Sequence, residues 1–386
     1  MEFLAKWKGA LFMCDYNYLV DEKNGKKVDW RTMKRESNML ARVYEMIAES
    51  LTGVDNIGAA RYYKKAKKVS SCNSSLLFAY EKGGDIRDKK LVYCNNCHDR
   101  GCRLCQHKKS RVHAYQLNKI MRTALKEFDN LDFIFATFTM KNVENSPVAL
   151  KSAIKQMNGA FHKMNNYSRL VGKNGRKIAP VDRVIKGSIR SLEVTYNAKT
   201  DTLHPHLHVI FAVDRERYFD VKEDNYIDQT EWIKLWQKAL GVDYAPSVHV
   251  EVIKANKRKG IDSLLGSVLE IAKYETKPDS AFVGAYGWKK AMKVVYSLSE
   301  GLAGVRSFGF AGVLKDIKSE IFGKKNLDDV SDEEMINADG ESEIDIDSCV
   351  FVQYRWCRGE QDYIEVPLER SLMNFIREKF SGKAVA

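Results

Sequence analysis

No stretch of the chain approaches the ~18 consecutive apolar residues of a transmembrane helix, so no membrane span is expected. Lys6 and Lys8 interrupt the apolar start, so no secretory signal is expected either, and the protein is read as cytoplasmic. No G-x-x-x-x-G-K-S/T loop occurs, which excludes a nucleotide-driven motor of that type. No internal repeat is visible. Cysteine is sparse, at eight in 386 residues, yet four of the eight fall within residues 94–105. Without a secretion signal, that crowding reads as metal binding and not as a disulfide framework. Acidic residues are short in one region only. Residues 1–320 hold 55 Lys and Arg against 36 Asp and Glu, a net +19, whereas 321–386 hold 8 against 15, a net −7. So basic a body suggests a polyanionic partner, usually nucleic acid. A soluble basic protein with no such partner is the plain alternative.

The length allows about two or three domains. Residues 1–88 form an N-terminal accessory region, in which Arg61-Tyr62-Tyr63-Lys64-Lys65-Ala66-Lys67-Lys68 is the densest basic-aromatic run. Lys64 and Lys65 could grip phosphates there, unless the run is only a solvated helix face. Residues 89–110 form a cysteine-rich knuckle, and a basic helix follows from Ser110 to Phe128. Residues 111–325 alternate strand and helix patterns. Leu131–Met140 reads as a buried strand, Ser188–Tyr196 and Leu203–Val213 as a hairpin, Gln229–Leu240 as a helix, Ser247–Ile253 as a strand and Ile261–Glu275 as a helix. The order predicts an α+β protein, with an antiparallel sheet backed by helices on one face and helical flanking segments. Residues 326–348 read as a disordered acidic linker and 349–386 as a separate C-terminal segment.

Chemistry concentrates in His204-Pro205-His206-Leu207-His208. Strand residues two apart share a face, so His206 and His208 aim two imidazoles at one point, half of a divalent metal site. If the hairpin loop centres between residues 199 and 200, Glu193 lies opposite His206, and a slip of two puts it opposite His208. The candidate ligands are His206, His208 and Glu193. His204 has the right parity, but Pro205 removes a ladder bond and is expected to leave His204 at the rim. Two surface histidines on a hairpin are the plain alternative. Downstream, Glu270, Tyr274 and Lys277 fall on one helical face. A nearby cation favours phenolate, and a carboxylate can activate water. Alternatively Tyr274 only anchors a helix. Cys94, Cys97, Cys102 and Cys105 form two CxxC units and suit zinc, with His98, His107 or Cys72 able to replace one of them. Lys108, Lys109 and Arg111 follow and suit phosphate contacts.

His206-Leu207-His208 resembles the paired-histidine motif of the HUH endonucleases, and Glu270, Tyr274 and Lys277 resemble the Glu-x-x-x-Tyr-x-x-Lys motif of rolling-circle plasmid replication initiators. Phe135–Thr139 is similar to their first motif, and 190–196 and 231–236 to the segments flanking the histidines. The resemblance covers about residues 94–280 and implies an HUH nuclease core of the single-tyrosine type. It implies metal-dependent nicking at a plasmid origin, presented single-stranded or as an extruded hairpin. Tyr274 would keep the 5′ phosphate, the 3′ hydroxyl would prime synthesis, and Glu270 would activate water for the terminating cleavage. Mg²⁺ or Mn²⁺ would serve catalysis and Zn²⁺ the cysteines. A host helicase and DNA polymerase are the implied partners, with no membrane and with oligomeric state open. A relaxase or transposase of the same superfamily is one alternative, although relaxases place the tyrosine before the histidines. A non-catalytic zinc-containing DNA-binding regulator is the alternative of another class.

Overall fold

The computed structural model describes residues 17–20, 28–167, 183–220, 225–253, 268, 287–337, 345 and 347–380. In chain order the elements are α1 (Trp30–Leu51), α2 (Asn56–Ser71), β1 (Ser75–Glu81), β2 (Lys90–Cys94), α3 (Arg103–Glu127), β3 (Leu131–Thr139), β4 (Val143–Glu144) and α4 (Pro147–Met164). They continue with β5 (Ile185–Asn197), β6 (Thr202–Asp214), α5 (Arg215–Tyr218), α6 (Gln229–Leu240), β7 (Val248–Val252) and α7 (Trp288–Gly301). The last are β8 (Phe308–Gly312), α8 (Val313–Phe322), α9 (Asp332–Ile336), β9 (Cys349–Cys357), β10 (Asp362–Val366) and α10 (Arg370–Phe380). The predicted helix 261–275 lies outside the described residues except for Val268.

The chain divides into two compact units, one from 1–35, 71–96 and 342–386, the other from 36–70 and 97–341. The expected boundaries at residues 88 and 349 do not coincide with these. In the first unit β9 lies between β10 and β1, and β2 completes an antiparallel sheet of four strands. Leu77, Ala79 and Val92 pack against Leu372 and Ile376 of α10.

The second unit carries the site. Its antiparallel sheet has the order β7-β3-β6-β5-β8, with β4 paired to β6. Helices cover both faces, not one. The reason is legible in Val209-Ile210-Phe211-Ala212-Val213, all fully buried, which leaves no face of β6 fit for water. On one face Phe138 and Phe211 meet Trp236 and Trp232 of α6 at 5.0 and 5.3 Å between ring centroids. On the other, Phe133, Phe135, Ile189 and Ile210 join Leu117, Ile120 and Met121 of α3, Leu314 and Ile317 of α8, and Val268 in a single apolar cluster. Gly312, at φ 59°, lets β8 turn straight into α8, because a Cβ there would strike the Lys186 carbonyl.

Two expectations change. Pro205 does not delay the strand, since β6 starts at Thr202. Strand β3 ends opposite His206 and β4 starts opposite Leu203, so no strand on that side needs the missing N–H. The supposed acidic linker is folded in its first part. Ser331 and Glu334 form a capping box on α9, and Val330 and Met335 bury against Val112 of α3.

The β5–β6 loop is tied by one carboxylate. Asp201, at φ 51°, accepts from Asn145 and Tyr196 at 2.9 Å and from the Lys293 ammonium at 2.7 Å. The Lys293 contact first, then those of Asn145 and Tyr196, hold its carboxyl at about 2, below the usual range. Asp201→Ala should lower unfolding free energy by about 1–3 kcal/mol at pH 7. A depressed folded pKa stabilises fully above the unfolded value of about 4 and is lost as pH falls towards 2. Chemical denaturation across that range should therefore show wild type and variant converging in acid.

Candidate active site

The hairpin register fixes the geometry. Glu193 pairs with His206, Ser191 with His208 and Thr195 with His204, while Thr137 and Thr139 of β3 pair with His208 and His206. All of these point to the same face of the sheet. The three imidazoles stand in a row, with centroids 4.2 Å apart for His204 and His206 and 6.1 Å for His206 and His208. His204 therefore belongs to the ridge and not to its rim.

His208 is held on three sides. Its Nε2 lies 2.9 Å from Glu193 Oε2, its Nδ1 lies 3.0 Å from Thr137 Oγ1, and Phe135 stacks on its ring at 5.8 Å. A carboxylate only accepts, so Nε2 carries the proton and Nδ1 accepts from the threonine hydroxyl. His206 is held differently: Nδ1 is buried and has no hydrogen-bond partner among the described residues. Burial, and then the neighbouring His204, push its pKa down to about 4. Burial also lowers His204, against a raising contact from the Met140 backbone. Neutral imidazoles with an orphaned, buried nitrogen are the protonation state a divalent cation requires. His206, His208 and Glu193 are not gathered about one point, however. Among the described residues only cysteines form a group with all ligand atoms within 4.8 Å.

Three of the four predicted zinc ligands come together. The Sγ atoms of Cys97, Cys102 and Cys105 lie within 4.8 Å of one another, with Cys97 and Cys105 at 3.6 Å. Cys102 is the N-cap of α3 and Cys105 sits in its first turn. This group could hold a metal ion such as zinc. Cys94 stands at the end of β2, in the other unit, where its thiol contacts Asn96 Oδ1 at 3.6 Å. His98 is taken by Asp332, Nε2 to Oδ1 at 2.8 Å. His107 has a buried Nε2 without a partner among the described residues, and burial followed by Arg111 lowers it to about 4.

The proposed phosphate contacts separate. Lys64 is exposed and Lys109 and Arg111 are half-buried, so they remain open to DNA. Lys108 is 2% exposed and is withdrawn as a phosphate contact, because an ammonium at that depth cannot reach a duplex. Lys65 turns inward, donating to Ser299 Oγ over the rings of Tyr44 and Tyr62. Glu270, Tyr274 and Lys277 lie outside the described residues. Thr137 and Phe135 belong to the strand that resembles the family's first motif, which assigns them no contact with a particular histidine. Their part in orienting His208 follows from register, which a single strand's pattern does not carry.

The replication protein family model matches residues 88–364, a span holding the whole sheet and the cysteine group. The chain belongs to the replication protein family. Protein rep of Lactiplantibacillus plantarum is 34% identical over 343 residues, 88% of this chain and 96% of its own length. Protein rep of Bacillus amyloliquefaciens is 30% identical over 361 residues, 91% and 98% of the two chains. A Protein rep of Staphylococcus aureus is 34% identical over 209 residues, 54% and 80%. No solved structure matches the chain. The expected kinship with plasmid replication initiators holds at the level of the family. No described helix is long and apolar enough to cross a membrane.

His206 should stay neutral well below the ordinary histidine range. In metal-free protein its NMR titration should have a midpoint near 4, and a midpoint near ~6.5 would refute the burial argument. The sign follows from linkage: the unfolded chain binds this proton more readily, so stability falls as pH drops from about 6.5 towards 4.

Proposed function

We propose that this initiator nicks one strand of a plasmid origin through a 5′-phosphotyrosine on Tyr274. It leaves a 3′ hydroxyl as primer and ends the cycle with a second, Glu270-assisted cleavage and joining. The single observation that carries the reading is the His204–His206–His208 ridge with Glu193 directly opposite His206. Val268 adds support. It is fully buried in the cluster that holds Phe135 and Ile210, two residues along the same face from Thr137 and His208. Glu270 and Tyr274 follow it by two and six residues.

The residues present fit a divalent cation, Mg²⁺ or Mn²⁺. His206 would offer its orphaned Nδ1, and Glu193 an oxygen. For His208 to offer Nε2, its proton must sit on Nδ1, and the Thr137 hydroxyl can rotate to accept it. When bound, the cation would polarise the scissile phosphate and favour the phenolate. His204 competes with Glu193 for the third place. Lys277 stabilises the phenolate, and Lys64, Lys109 and Arg111 hold the DNA backbone. A host helicase opens the duplex and a host polymerase extends the 3′ end.

The cysteine group would hold structural zinc through Cys97, Cys102 and Cys105. The paired CxxC spacing proposes Cys94 for the fourth place, with Cys72 as its alternative.

Tyr274→Phe should abolish the covalent adduct with a labelled origin strand and leave origin binding within about twofold; a persisting adduct refutes the nucleophile. EDTA should stop wild-type nicking, whereas a zinc-containing regulator without catalysis would show no nicking in Mg²⁺ or Mn²⁺. Glu270→Ala should keep the first nick and slow hydrolytic release by ~10²–10⁴-fold. Equal loss of both cleavages would remove the general-base role. Elemental analysis should find about one zinc per chain, lost in Cys97→Ser and Cys102→Ser; wild-type protein without zinc would end the assignment.

A further inference from the structure

A second cavity, remote in sequence from the histidine ridge, lies in the same unit. It measures about 240 Å³ and is enclosed by α1, α2, the turn after Cys97 and the end of α7. Leu40, Leu298 and Leu302 give it apolar walls, and Ala303 and Gly304 stand at one side. Three charged side chains line it, Asp99, Lys65 and Arg100, and the Arg100 guanidinium is engaged by the Leu302 and Val305 carbonyls at 2.7 and 2.6 Å. Asp99 Oδ1 accepts from Tyr44 Oη at 2.9 Å and from the Gly101 N–H at 2.8 Å, so both of its lone pairs are used. Lys65 is steadied by Ser299 and by two tyrosine rings. Among the described residues, Asp99 and Lys65 form no ion pair with each other, although both face the same space. The acceptor sites of Oδ2 and the remaining donors of the ammonium are thus available to a ligand.

Size and polarity narrow that ligand. An apolar cavity of about 150 Å³ admits a benzene ring, so this one admits a single heterocycle and little more. The heterocycle must be flat enough for leucine walls, with an exocyclic amine for Asp99 and an acceptor beside it for Lys65, a pairing that thymine, whose only N–H is in the ring, does not offer. A carboxylate accepting from an exocyclic amine is a known base contact. The surroundings point to a nucleic-acid source. Lys64 and Lys67 are exposed on the same helix as Lys65, and Tyr63, next to Lys64, is 45% exposed. That is a backbone track beside a base-sized hole.

We propose that this cavity receives one unpaired base bearing an exocyclic amine, cytosine, adenine or guanine, from single-stranded origin DNA. The proposal rests on the reading of the chain as an initiator that works on exposed single strands. It gives the N-terminal helices a recognition role separate from the chemistry at Tyr274. Asp99 is the specificity-determining group, Lys65 the acceptor's partner, and the exposed lysines of α2 hold the flanking phosphates.

The test uses the full chain without added Mg²⁺ or Mn²⁺, so that its outcome does not depend on nicking. The probes are fluorescein-labelled strands of abasic residues with one central cytosine, adenine, guanine or thymine, read by anisotropy. Wild type should bind the three amine-bearing probes about tenfold more tightly than the wholly abasic strand, and thymine clearly less well. Asp99→Asn should erase the preference over thymine. Ala303→Trp, a change at an exposed position, should close the cavity and remove base dependence while keeping the salt-sensitive backbone affinity. Equal binding of base-containing and abasic strands by wild type overturns the proposal. So does an unchanged preference in both variants. Free dCMP that binds as tightly as the cytosine probe would overturn the DNA source and assign the cavity to a free nucleotide. A missing Tyr274 adduct alongside intact base discrimination would refute the nuclease reading and leave the cavity assignment standing.

Discussion

Everything at the candidate active site depends on the pairing of β5 with β6. Side chains alternate strictly along a strand, so a slip of one residue would turn Glu193 away from the imidazoles. The loop between the strands is short, and Asp201 ties it to Asn145, Tyr196 and Lys293. Those three partners come from three elements or loops. The tie therefore fixes the hairpin against the rest of the unit as well as against itself. Further along, Leu207, Val209 and Phe211 on one face and Ile210 and Ala212 on the other are fully buried. A slip of one residue would exchange the two sets between faces that different helices cover, and misfit of that kind costs packing on both.

Helix α3 extends this dependence to the cysteines. It is capped by Cys102 and ends a few residues before β3 begins at Leu131. It runs back over the apolar end of the histidine face, where Leu117, Ile120 and Met121 pack on Phe133 and Phe135. His113 of the same helix meets Phe308 of β8, whose strand neighbour Ser191 pairs with His208. A metal ion at the cysteines would thus anchor one end of a rigid rod whose middle lies against the sheet. Residues 326–337 pack on the first half of that rod through Val330 and Met335 on Val112, and Asp332 reaches His98 in the turn before it.

Much of this was legible in the residues alone, and the misses have physical reasons. Strand β3, the hairpin, helix Gln229–Leu240 and the Glu193–His206 pairing were readable because period-two and period-3.6 patterns survive without tertiary information. The second covered face was signalled by the unbroken apolar run Val209–Val213, which an amphipathic strand would not contain. Lys108 was misread because charge predicts exposure on average, whereas its neighbours Cys105 and Val112 mark a helix face that turns inward. Nothing in the sequence pattern could announce the orphaned His206 nitrogen or the gap between Asp99 and Lys65, since both are properties of three-dimensional closure.

The pairing of β1 with β9 joins residues 75–81 to residues 349–357. Such contacts lie late in any order of events, because the loop to be closed spans most of the chain. During synthesis β1 and β2 emerge long before β9, and until then β1 presents an open edge of unpaired N–H and C=O groups. A nascent chain can complete the histidine-bearing sheet, whose strands all lie between 131 and 312, while its first unit is still waiting. Translation arrested between those points would release a molecule with a finished histidine-bearing sheet and one raw β edge. Such fragments would be removed by aggregation or proteolysis in proportion to how often ribosomes stall.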